Sequence, residues 1–186
     1  MKSLGGMLRI LFAAIILLPF NGFSQKRYAS EKAFVSFYSE GVIEEIKASN
    51  TKVTSIFDLL SGDVAYLLSP KDFQFDKKLM QVHFNEKYME SEKYPRASFQ
   101  GKITGFDPSS NSLQHVKAVG KLTIHGVTKE IDVPGTLHIE GNTVSLRSKF
   151  TVRLEDYKIK VPQIVWQNIA QHVEVTVHFL YRPVTN

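Results

Sequence analysis

The sequence of 186 residues contains no cysteine. That excludes disulfides, a lipid-modified N-terminal cysteine, a thiol nucleophile and any thiolate metal site. A chain of this length can build its core without cross-links, so an exported domain tolerates the absence. Also missing are an apolar run long enough to span a bilayer, a Gly-rich phosphate loop, a nucleophile elbow and an HExxH zinc motif. The six histidines, His83, His115, His125, His138, His172 and His178, show no metal-ligand spacing. Acidic residues fall in loops or on polar faces, and no spacing sets a pair of them across a cleft. Neither catalysis nor a cofactor has support in these residues.

Charge of one sign is not in large excess either. Lys and Arg number 23 against 18 Asp and Glu; without Lys2 and Arg9 the balance is 21 to 18, a net +3. These charges are scattered over polar faces and form no stripe suited to a phosphate backbone, which argues against nucleic acid as a partner. The longest apolar run, Ile10 to Leu18, is too short for a membrane span. Lys2 and Arg9 precede it, Pro19 and Asn21 follow it, and Gly22-Phe23-Ser24 presents small residues where an export peptidase cuts. Residues 1–24 therefore read as a cleaved secretory signal peptide, with 25–186 as one domain. The alternative is an uncleaved anchor. The expected destination is periplasmic or secreted, with no stable membrane insertion after cleavage.

What the chain does have is alternation. With His125-Gly126 as a two-residue turn, Ala118, Gly120, Leu122 and Ile124 share a face with Val127, Ile131 and Val133. Only Val119 and Lys129 sit on the wrong side. Lys121 then opposes Glu130 and Thr123 opposes Thr128, both favourable cross-strand pairs. With Gly141-Asn142 as the next turn, Val133, Gly135, Leu137 and Ile139 share a face with Val144, Leu146, Ser148 and Phe150. Three long strands thus agree on one apolar face, the pattern of an antiparallel meander.

Elsewhere the pattern is looser. Residues 25–32 read as a polar lead-in, Ala33–Ser39 as a strand of ambiguous inward face, and Val42–Ala48 as another, with Asn50 at a turn. Lys52–Leu60 and Asp63–Leu68 pair across Ser61-Gly62. Asp76 is placed to cap a short helix holding Leu79, Met80, His83 and Phe84, ended by Asn85. Ala97 to Phe106 alternates cleanly, with Ala97, Phe99, Gly101, Ile103 and Gly105 inward. The last strand turns Val173, Val175, Val177 and Phe179 inward. These elements predict an all-β fold, an antiparallel β-barrel with one short helix.

Inward positions include many small residues: Ala97, Gly101, Gly105, Ala118, Gly120, Gly135 and Ser148, interleaved with Phe99, Ile103, Leu122, Ile131 and Leu137. They either leave an apolar cavity for a long ligand or mark sharp bends that a side chain would obstruct. The aromatics Phe34, Phe37, Phe57, Tyr66, Phe73, Phe75, Phe84, Phe99 and Trp166 are candidates to line a cavity, or else are ordinary core.

Gly120–Lys129, GKLTIHGVTK, together with Lys71-Asp72-Phe73, Tyr94-Pro95 followed by Ser98-Phe99, and Asp156-Tyr157-Lys158-Ile159, resembles the signature of YceI-like polyisoprenoid-binding proteins. The resemblance runs through essentially all of the mature chain. It implies a lipocalin-like antiparallel barrel, exported to the periplasm, holding an isoprenoid or other long-chain lipid, with no catalytic residues. The chain departs from the pattern at Lys77–Ser91, KKLMQVHFNEKYMES, where many members are more compact. The expected ligand-binding residues are Phe57, Tyr66, Phe73, Phe84, Phe99, Gly101, Ala118, Gly120, Leu122, Ile131 and Trp166. His83 and Lys71 are candidates to meet a polar head group. A homodimer is an allowed assembly. The rival expectation is a structural or interaction protein whose barrel is filled by its own side chains.

Overall fold

The computed structural model describes residues 27–40, 45–160 and 171–184. The expected signal peptide, Trp166 and the start of the strand expected at Val42 lie outside the described residues. Among the described residues ten strands form one antiparallel sheet: β1 Arg27–Ser39, β2 Ile46–Asn50, β3 Thr54–Asp58, β4 Asp63–Leu68, β5 Gln74–Phe75, β6 Ala97–Thr104, β7 Gln114–Ile124, β8 Val127–Glu140, β9 Thr143–Arg153 and β10 His172–Pro183. Pairing of β1 with β10 closes eight of them into a barrel in the order β1-β10-β9-β8-β7-β6-β4-β3. The helix α1, Lys78–His83, precedes β6.

The meander has the register its alternation requires. Ile124 pairs with Val127, Lys121 with Glu130 and Thr123 with Thr128, whose hydroxyls lie 2.8 Å apart. His125 and Gly126 have φ of 51° and 71°, the two positive values of a type I′ turn. The second hairpin joins Glu140 to Thr143 across Gly141, whose φ is 56°. β8 pairs with β9 only from Gly135 to Glu140. Lys129, on the inward side but outside that paired stretch, is exposed.

The first strand is longer than its composition suggested. Residues 27–32 belong to β1 rather than to a polar lead-in. Ser30 pairs with Tyr181 and Lys32 with Leu180, so Glu31 is an extra residue in a β-bulge. A bulge inverts the parity of everything after it. Tyr28 therefore faces inward before it, and Val35, Phe37 and Ser39 face inward after it, while Phe34 is exposed. That inversion is why the strand's inward face is ambiguous in the sequence.

β2 and β3 lie along the same edge of β1, interrupted at Thr51 to Val53. Buried Asn50 makes the break: its side-chain oxygen accepts from Lys52 N at 2.8 Å and its amide donates to Ser69 O at 3.0 Å. β3 and β4 pair as expected, but around a wider turn. There the Asp58 carboxylate accepts from Leu60 N and Ser61 N, both at 2.9 Å. Gly105 lies past the end of β6, with φ of 83°, so it belongs to the turn and not to the inward row. Lys77 and not Asp76 occupies the N-cap position of α1, without a side-chain cap hydrogen bond, and the chain continues as a π-helical turn from Phe84 to Tyr88 instead of stopping at Asn85. The Asn85 amide turns back to Gln81 O at 3.0 Å, so it braces the turn.

Candidate functional site

The two ends of the barrel are filled differently. At the end away from α1, Tyr28, Phe57, Leu137, Val144, Phe179 and Tyr181 are at most 1% exposed. Phe57 packs on Tyr181 with ring centroids 5.7 Å apart, and the Tyr181 and Ser55 hydroxyls lie 2.7 Å apart. Burial pushes the Tyr181 phenol up, partly opposed by that hydrogen bond. This end is a closed core.

At the other end the barrel holds a partly enclosed cavity of about 250 Å³. β1 contributes Val35, Phe37 and Ser39; β4 contributes Tyr66 and Leu68; β7 contributes Leu122 and Ile124; β9 and β10 contribute Phe150, Val152, Val173 and Val175. The segment after β4 folds over the opening and adds Phe73, Phe75, Met80, His83, Phe84, Tyr88 and Met89. Four phenylalanines form its wall: Phe37 stacks on Phe84 at 5.4 Å, Phe73 lies 5.2 Å from Phe37, and Phe75 lies 5.0 Å from Phe84. Tyr66 is the floor, stacked on Phe99 at 5.5 Å and 5.6 Å from Phe179 of the closed core. Burial drives its phenol well above the ordinary tyrosine value.

Among the described residues no Lys, Arg, Asp or Glu lines this cavity; His83, Tyr66 and Tyr88 are the titratable groups of that lining. The arrangement can desolvate an apolar chain. Among the described residues no group of three His, Cys, Asp or Glu is placed to hold a metal ion.

Tyr66, Phe73, Phe84 and Leu122 meet in this cavity, and so does His83. Phe99 lies behind Tyr66 in the core. Phe57 belongs to the closed end. Gly101, Ala118, Gly120 and Ile131 lie away from the cavity lining, and so does Lys71. Gly101 pairs with Gly120; a Cβ on the first would lie 2.2 Å from Val119 O, and on the second 2.4 Å from Gln100 O. Their smallness answers a close approach of β6 and β7. Ser39, Met80, Met89, Phe150 and Ile159 are lining residues that were not among the expected ligand-binding residues. The inward alternation of β9 carried a signal for Phe150, whereas the bulge in β1 hid Ser39.

The rim of the cavity is fastened by the His125 turn. His125, 7% exposed, places Nδ1 3.1 Å from Tyr157 O and Nε2 2.9 Å from the Glu90 carboxylate. Its ring meets Tyr94 edge-on at 4.3 Å, and a Cβ on Gly126 would lie 2.6 Å from the Tyr94 ring. The three sequence blocks that carry the family resemblance in the second half of the chain thus converge on one clamp. It joins the segment over the opening, the meander turn and the turn Leu154–Tyr157.

A model of the YceI-like domain matches residues 27–180. Solved structures share the architecture. Burkholderia cenocepacia BcnA aligns with a TM-score of 0.68 at 18% identity, over 80% of this chain and 95% of its own. A polyisoprenoid binding domain from Saccharophagus degradans, implicated in plant cell wall breakdown, aligns with a TM-score of 0.72 at 13% identity, over 84% and 98%. A Campylobacter jejuni YCEI protein aligns with a TM-score of 0.62 at 14% identity, over 77% and 87%. At these identities the likeness is one of fold. No curated protein sequence matches the chain significantly.

Proposed function

From the premise that the chain belongs to the YceI-like domain family, we propose that it is a non-enzymatic binding protein for an isoprenoid or other long-chain lipid. The observation that carries this reading is the cavity walled by Phe37, Phe73, Phe75 and Phe84, with no charged side chain among its described lining residues. Each methylene moved from water into it gains about 0.8 kcal/mol. The volume of about 250 Å³ falls just below the roughly 300–1,000 Å³ of pockets that enclose drug-sized ligands. A long chain therefore places one end inside and leaves the remainder at the rim. The Saccharophagus degradans domain, described as polyisoprenoid binding, gives the reading its ligand class.

The protein works without a cofactor, after export to the periplasm and removal of residues 1–24. Mature protein beginning near Gln25 is expected in the soluble periplasmic fraction; N-terminal sequencing that finds Met1 on a membrane-bound form overturns the export part. Carriage or sequestration is tested by native mass spectrometry and lipid extraction of protein purified from its own periplasm. A mass increment that extraction identifies as a long-chain lipid supports the reading. Protein that is empty, and that takes up no lipid when offered one, leaves the rival of a structural barrel.

A further inference from the structure

Two hydroxyls of the cavity make no hydrogen bond among the described residues. Ser39 Oγ is a buried side-chain atom with no hydrogen-bond partner, on a residue 3% exposed. The half-buried Tyr66 forms the floor, and its phenol makes no hydrogen bond among the described residues, so it is open to a partner in the cavity. At the closed end, by contrast, the fully buried Tyr181 is bonded to Ser55. Buried polar atoms are nearly always paired, and each exception calls for an explanation. Both residues also face surroundings in which hydrocarbon alone offers no partner.

We infer that the ligand carries an uncharged oxygen, as a lipid alcohol or carbonyl compound does, and places it against Tyr66 inside the cavity. This rests on the reading of the site as a lipid cavity. A hydroxyl both donates and accepts, so Tyr66 serves either oxygen type. Ser39 provides a second polar point on β1. A lipid phosphate or carboxylate is disfavoured inside, since the described lining residues supply no Lys or Arg to a buried anion. Selection follows from the mismatch: a pure hydrocarbon leaves both hydroxyls unpaired, and a charged head stays unneutralised.

The test compares three probes that share one chain, farnesol, farnesene and farnesyl phosphate, titrated into delipidated mature protein. Farnesol is expected to bind about five- to tenfold more tightly than farnesene, the range one net hydrogen bond supplies. Farnesyl phosphate is expected to bind more weakly than farnesol. Tyr66→Phe should remove the farnesol advantage and leave farnesene unchanged, with a thermal midpoint equal to or above that of the wild type. Ser39→Ala, a smaller change, should reduce the same advantage in part. Equal loss of both probes in Tyr66→Phe, or tighter binding of the phosphate, overturns the inference while the lipid reading stands. Farnesene binding with no preference for the alcohol does the same. Failure of all three probes overturns the lipid reading itself.

Discussion

The two halves of the barrel obey one alternation rule and reach opposite ends. In the closed half β8 and β9 are hydrogen-bonded from Gly135 to Glu140, and inward side chains such as Leu137, Val144 and Phe179 fill the section completely. In the open half β2 has left the line of β3, and a short helix with two small strands stands in for wall. Its inward residues are no less apolar, yet they surround space. Apolar content therefore does not distinguish core from site. What differs is strand pairing and the satisfaction of polar groups, bonded at Ser55 and Tyr181 but unbonded at Ser39.

The difference is broken most severely at the closed end. Tyr181→Ala should cost about 3–5 kcal/mol in denaturant unfolding, because a fully buried ring leaves a void that its neighbours cannot fill. Phe84→Ala, at the edge of existing space, should cost less than about 2 kcal/mol, below the usual range for a fully buried ring. Equal costs would dissolve the distinction. Next in size is Gly126→Val, at φ of 71° and against the Tyr94 ring, which should cost about 2–3 kcal/mol and lower the thermal midpoint.

Ala118→Phe then tests where the boundary runs. Ala118 packs on the core outside the cavity, so the added ring should cost about 1–3 kcal/mol and leave lipid uptake intact. Val175→Phe, projecting into the cavity, should hold stability within about 1 kcal/mol and reduce lipid uptake. The reverse outcome would move the cavity to the Gly101–Gly120 level. The smallest effect lies on the outer wall. Burial, aided by Arg147 beside it, holds His178 below its ordinary value of 6.5. The folded form thus binds its proton less readily than the unfolded form. The resulting stabilisation is complete above 6.5 and is lost as pH falls through the depressed value. In Arg147→Gln the His178 midpoint, followed by NMR titration, should move upward.

The meander was legible because its register is enforced twice, by primed turns at His125-Gly126 and Gly141 and by apolar faces that a slip would expose. β1 was half legible: the single extra residue Glu31 swaps the inward parity, and no composition rule marks a bulge. The site was read by residue type, which found Phe73, Phe84, Tyr66 and Leu122. It also gathered Phe57 and the small residues Gly101 and Gly120, whose surroundings only the third dimension distinguishes. Glycine means room in one setting and close approach in another, and here the backbone of β6 and β7 takes the space. Asp76 looked like a cap by position, but the helix begins one residue later, at a Lys77 N-cap.

The clamp at His125 also sets an order of assembly. Its partners lie 35 and 32 residues away along the chain, at Glu90 and Tyr157, whereas the turn that presents it closes over two residues. Local hairpins form in microseconds, and distant segments must first meet the entropy of closing long loops. On sequence separation alone, the meander is expected to form before the strip from Lys78 to Glu90 docks on it, an order that φ-values for Glu90→Ala and Thr123→Ala would check. Segments that dock late on few bonds are also the ones that release first in the native state, at a free energy below that of global unfolding. Release of the strip would break the single His125–Glu90 bond and part Phe84 from Phe37, leaving the barrel strands paired.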